Sequence, residues 1–132
     1  MPDLLIPATR HTPAVDFRFS SGQLSLIGES YPENTAKFYG PMMEALDAFL
    51  AEPGEAPVSL KLTLAYMNSG SLKMIYRLVG RLDAAAGRGR PVQVVIEREP
   101  GDDAAEEFAE DLAADYSTLT IELIDKASPL PA

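Results

Sequence analysis

The chain has 132 residues, a formal net charge of −9, no cysteine and one histidine, His11. Such a length suits one domain that buries roughly two thirds of the surface its unfolded form exposes, so residues 1–132 are expected to form a single domain with a loose leader over 1–12 and a loose tail over 127–132. Disulfides and thiolate metal sites are excluded, one histidine leaves little for a catalytic dyad or zinc site, and no cofactor is implied. The charge opposes nucleic acid and anionic membranes, and without a signal pattern or an apolar run near the roughly 20 residues of a membrane span, the expected location is cytoplasmic.

In chain order, Val15, Phe17 and Phe19 alternate with Asp16 and Arg18, and Leu24 and Leu26 flank Ser25. Both patterns predict strands with one buried face, joined by a tight turn at Ser21-Gly22. Next comes Ser30-Tyr31-Pro32-Glu33-Asn34. Ser30 with Glu33 fits a capping box, Pro32 suits a first helical turn, and Asn34 is an alternative cap. A helix over about residues 35–51 places Phe38, Met42, Leu46 and Phe49 on one face. Gly40-Pro41 within it predicts either a kink or a helix that begins at Pro41.

A third strand follows, with Val58, Leu60, Leu62, Leu64 and Tyr66 expected on its buried face. It gives way to Asn68-Ser69-Gly70-Ser71 and a helix over about 70–86 that should bury Leu72, Ile75, Tyr76, Val79 and Leu82. Lys73, Arg77 and Arg81 recur every four residues and form one stripe of that helix. Val92, Val94 and Ile96 predict a fourth strand, and Leu119, Ile121 and Leu123 a fifth. The helix between them, about 103–115, has only Phe108 and Leu112 as large apolar residues and is expected to pack thinly. Nine of the chain's 20 acidic residues fall between positions 97 and 115, which reads as a solvated helix face.

The predicted order is ββαβαβαβ. Strands buried on both faces read as continuous apolar runs, whereas all five here alternate, so an α/β fold of two layers is expected, an α+β arrangement with a five-stranded mixed sheet. Right-handed crossovers put the three helices on one face.

Enzyme chemistry has little to stand on. There is no Gly-rich phosphate loop, no Gly-x-Ser-x-Gly elbow and no histidine to activate Ser69. The corner at 68–71 has a structural explanation, since Asn68, Ser69 or Ser71 could each cap the helix. It also has a functional one. A phosphate on Ser69 would meet unpaired backbone N–H groups and the positive end of the helix dipole, with Lys73 one turn on. Gly70 would admit a close approach by a partner, and Tyr31 would serve as an aromatic anchor beside it. Two other classes remain. One is a small ligand-binding or enzymatic domain with an anion site at the helix starts near 30–34 and 68–71; the other is a structural subunit that dimerises through the open sheet face.

The two motifs together, Ser30-Tyr-Pro-Glu-Asn34 and Tyr66-Met-Asn-Ser-Gly-Ser-Leu-Lys73, resemble those of the SiaC family of bacterial regulatory phosphoproteins. The likeness extends from Leu5-Ile6-Pro7 and Thr12-Pro13 through the second helix. The resemblance implies a STAS-like fold, like that of anti-sigma-factor antagonists, and a non-enzymatic partner-switching role. A serine/threonine kinase would phosphorylate the corner, a PP2C-type phosphatase would reverse it, and the unphosphorylated form would bind an effector such as a GGDEF diguanylate cyclase, controlling cyclic di-GMP and biofilm formation. The family's acceptor threonine falls on Ser69, with Ser71 as the alternative, and a family serine is replaced by Gly70. Tyr31, Pro32, Glu33, Asn34, Asn68, Gly70, Ser71, Lys73 and Arg77 are the implied partner-binding residues.

Overall fold

The computed structural model describes residues 2–54 and 56–126. Its elements are β1 (Leu4–Ile6), β2 (Ala14–Arg18), β3 (Gln23–Ser30), α1 (Thr35–Ala51), β4 (Val58–Met67), α2 (Ser69–Gly87), β5 (Val92–Arg98), α3 (Asp103–Asp115) and β6 (Thr120–Asp125). The six strands form one sheet in sequence order, with β1, β2 and β3 antiparallel and β3 to β6 parallel. The fold class is as expected, with one strand more than the sequence pattern disclosed. Leu4 pairs with Phe17 and Ile6 with Val15. Three residues ending at Pro7 are too few to show a period, so β1 is defined by pairing with β2 rather than by its own pattern. The expected tail over 127–132 lies outside the described residues.

Alternation in the strands becomes two layers. Phe17, Leu24, Leu26, Leu60, Leu62 and Val94 point into a core closed by Tyr39, Met42, Leu46, Ile75, Leu78, Leu82 and Leu112 from the helices. Each of these burials removes apolar surface from water, worth roughly 1.5–3 kcal/mol for a large aliphatic side chain. At the β2–β3 turn Gly22 has φ +73, and a Cβ there would lie 2.2 Å from the Pro57 carbonyl oxygen, so the turn and the start of β4 can meet only over a glycine.

Three details differ from the pattern. Helix α1 starts at Thr35 and runs through Pro41, which lies inside it, rather than beginning there. The capping box does not form: Asn34 caps α1 by accepting from the Lys37 N–H at 3.0 Å, while Ser30 is fully buried at the end of β3. Tyr66 is 54% exposed instead of buried. The register between β3 and β4 shifts after Gly28, where Leu64 pairs with Gly28 but Tyr66 with Glu29, leaving Ala65 as an extra residue. A bulge reverses the phase of everything beyond it. No helix among the described residues is long and apolar enough to cross a membrane.

Candidate functional site at the β4–α2 corner

Parallel strands β3, β4 and β5 all deliver their helices at one end of the sheet, so the starts of α1 and α2 lie side by side beyond the strand ends. That end is where open parallel sheets commonly bind their ligands and partners. The Asn68 N–H donates to the Ser30 carbonyl at 2.9 Å, tying the corner to the end of β3. The Asn68 side chain then accepts from the Ser71 N–H at 2.8 Å and caps α2. Of the three candidate caps, asparagine takes the role because its carbonyl reaches the third amide of the helix while its own backbone stays extended.

With Asn68 as the cap, the two serines separate. Ser69 is the first residue of α2 and is exposed, whereas Ser71 is fully buried. The Ser30 hydroxyl donates to Ser71 Oγ at 2.8 Å and lies 2.6 Å from the Tyr39 hydroxyl. Since Ser30 has one proton and gives it to Ser71, Tyr39 donates to Ser30. The three hydroxyls connect the end of β3, the first turns of α1 and the first turn of α2, and no side-chain polar atom buried among the described residues lacks a partner. Burial pushes the Tyr39 phenol above its usual value of 10.0, with the neighbouring hydroxyls of Ser30 and Ser71 opposing that in part. An acid whose folded pKa is raised contributes stability that is complete below the unfolded value and lost as pH climbs past it. Urea titrations at about pH 8 and about pH 11 should therefore show stability falling with pH, and the fall should be shallower in Tyr39→Phe. An unchanged slope in that variant would remove Tyr39 from the account.

Gly70 makes a close approach within the molecule. A Cβ at this position would lie 2.8 Å from Thr35 Cγ2 and 3.1 Å from its Oγ1, so the first turns of α1 and α2 touch. Gly70→Ala is expected to destabilise the chain but to stabilise it in a Thr35→Ala background, where only the helix preference of alanine remains. The coupling between the two sites is expected at about 0.5–3 kcal/mol in a double-mutant cycle of thermal unfolding. Additive effects would show that the two helix starts do not press on one another.

Around this corner the other expected residues are dispersed by depth. Glu33, Asn34, Lys73 and Arg77 are exposed, Tyr31 and Asn68 are half-buried, and Pro32 is buried. Arg81, from the same stripe as Lys73 and Arg77, is held by Asp47 of α1 at 2.8 Å, so the stripe runs along the α1 side of α2. Lys73 and Arg77 make no ion pair among the described residues. Tyr31 stands edge-on to His11 at 5.1 Å and to Tyr66 at 5.8 Å. The sequence reading placed His11 in the leader and Tyr66 in the core. No local signal marks either one, because the first is brought in by a Tyr31 N–H to His11 carbonyl bond of 2.8 Å and the second by the bulge.

The first turns of α1 and α2 contain no acidic residue, although the whole chain is strongly acidic. The unpaired N–H groups there face no competing carboxylate from their own helices. A neighbouring cleft between α2 and α3 includes Met67 and Leu72, on either side of the corner, but not Ser69.

Comparison with known proteins accords with this architecture. An uncharacterised protein of Pseudomonas aeruginosa is 36% identical over 117 residues, covering 89% of this chain and 92% of the relative. The solved structure of SiaC of Pseudomonas aeruginosa superposes with a TM-score of 0.87 at 33% identity, covering 96% of this chain and all of that one. A chain in the crystal structure of the diguanylate cyclase SiaD in complex with its activator SiaC, from the same organism, superposes at 0.83 with 34% identity, covering 92% of this chain and 99% of the other. The family profile described as SiaC family regulatory phosphoprotein matches residues 6–126, and the chain belongs to that family.

Proposed function

We propose that the chain is a non-enzymatic partner-switching protein in which a cognate serine/threonine kinase phosphorylates Ser69 and a PP2C-type phosphatase reverses it. The unphosphorylated form binds and activates an effector such as a GGDEF diguanylate cyclase, so that the modification controls cyclic di-GMP output. The observation that carries this reading is the division of the corner hydroxyls: Ser69 faces solvent on the first residue of α2, and Ser71 is buried and hydrogen-bonded.

Further support comes from electrostatics. A phosphate on Ser69 would sit at the positive end of α2 with Lys73 one helical turn away and no acid in either adjoining first turn. The same added charge, about −1.5 to −2, would obstruct a partner packed on Tyr31, Glu33, Asn34, Asn68, Lys73 and Arg77. Pro32, Gly70 and Ser71 shape that surface from beneath. The effector half of the reading is supported by the related SiaC, which is the activator of SiaD in their solved complex. The test is intact mass after co-expression with the kinase: one added phosphate in the wild type, none in Ser69→Ala.

A further inference from the structure

Between α2 and α3, beyond the ends of β4 and β5, lies a cleft of about 380 Å³ lined by Leu62, Leu64, Met67, Leu72, Tyr76 and Phe108. Two of the four large hydrophobic side chains exposed among the described residues border it, Tyr66 at 54% and Leu72 at 37%. Leu72 was expected in the core from its spacing. It is uncovered because α3 presents Ala104 and Ala105 where larger side chains would close the gap. A concave apolar surface rimmed by polar groups has the form of an interaction site.

The rim gives the chemistry of the occupant. Glu97, Asp102, Glu107 and Asp111 surround the cleft. Glu97 is paired with Lys61 at 3.3 Å, and Asp102 caps α3 by accepting from the Ala105 N–H at 3.2 Å. Glu107 and Asp111 have no ion pair among the described residues. They are one turn apart on α3, where like charges repel. Asp111 is also close enough to Tyr76 to help raise its phenol above the usual value, after burial, which is the larger cause. The basic stripe of α2 cannot relieve them, since Arg81 holds Asp47 on the opposite side of that helix.

We propose that this cleft docks a basic amphipathic helix of a partner protein, with the helix's apolar face on Leu72, Tyr76 and Phe108 and its lysines or arginines against Glu107 and Asp111. A second copy of the chain fits poorly: a two-fold contact would set Glu107 and Asp111 against themselves. An anionic membrane is repelled by the same charges. A small apolar ligand would leave the two acids unpaired. The proposal does not depend on Ser69 being phosphorylated.

The test titrates the full-length chain by calorimetry with a synthetic helical peptide that has leucines on one face and lysines on the other. Leu72→Asp and the double variant Glu107→Lys/Asp111→Lys are each expected to weaken binding about tenfold or more. Glu44→Lys/Glu52→Lys, at exposed positions within and just after α1 and away from the cleft, is expected to change it less than about twofold. Amide shifts in NMR spectra of the wild-type chain should concentrate on α2 and α3 around Leu72, Tyr76 and Phe108. Equal loss in the α1 double variant, equal binding of a sequence-scrambled peptide, or no binding at all would overturn the proposal. So would equal binding of a peptide with glutamate in place of lysine, which would mark an apolar ligand site. Self-association of the wild type that is lost in Leu72→Asp would assign the cleft to a second copy and overturn it as well.

Discussion

Ser69→Ala is expected to abolish phosphorylation by the cognate kinase, and Ser69→Asp to weaken effector binding by at least about tenfold while leaving the unfolding transition in place. Both follow from position. The hydroxyl is exposed on the first residue of α2, where a negative charge is stabilised by the helix dipole, so aspartate costs the fold nothing and adds a charge to the docking surface. Intact mass reads the first effect, and calorimetry against the effector reads the second. A phosphate that persists in Ser69→Ala would relocate the acceptor. Equal affinities of wild type and Ser69→Asp would remove the switch while leaving a binding role intact.

The same substitution two residues later should have the opposite consequence. Ser71→Asp puts a carboxylate at a fully buried position against the hydroxyls of Ser30 and Tyr39, with no cation beside it. An unpaired charge at such a depth is expected to cost more than about 3 kcal/mol, a large fraction of the stability of a marginally stable domain and enough to lower its melting temperature by many degrees. Ser71→Ala should cost only about 1–3 kcal/mol, the penalty for leaving the Ser30 donor unmatched. Thermal unfolding followed by circular dichroism distinguishes them. If Ser71→Asp melted close to the wild-type temperature, Ser71 would have to be reachable from solvent, and the separation of the two serines drawn above would fail. The contrast therefore tests the site on the fold alone, without kinase or effector.

These two positions also show where local pattern stops being informative. In the sequence Ser69 and Ser71 are two small hydroxyls in one polar corner, and each could cap the helix, accept a phosphate or do neither. Choosing Asn68 as the cap fixes the phase of the first turn, and that phase turns one serine outward and the other into the core. Tyr66 makes the same point for strands, since strict alternation places it inside and one extra residue at Ala65 places it outside. Leu72 does so for helices: its spacing matches the buried stripe, but the neighbour that would cover it is built largely of alanine. A cap, a bulge and an alanine-rich neighbour thus decide three exposures that the local pattern leaves open.

By itself the sequence determined the two-layer α/β architecture, because strands with one apolar face and helices with one apolar stripe bury them together when helices cover one side of the sheet. It also determined the starts of α2 and α3 to within a residue, and the polar corner before α2, while leaving α1 to begin near Thr35 or at Pro41. Tertiary structure alone decided what that corner presents. It ran the leader alongside as β1 and brought His11 against Tyr31; it pressed Gly70 onto Thr35 and sank Ser71 beneath Ser69; and it left an acidic, uncovered cleft beside them. The reason is physical. Periodicity records which side of an element is apolar, a property of the chain, whereas exposure at the end of an element depends on what packs against it from elsewhere in the chain.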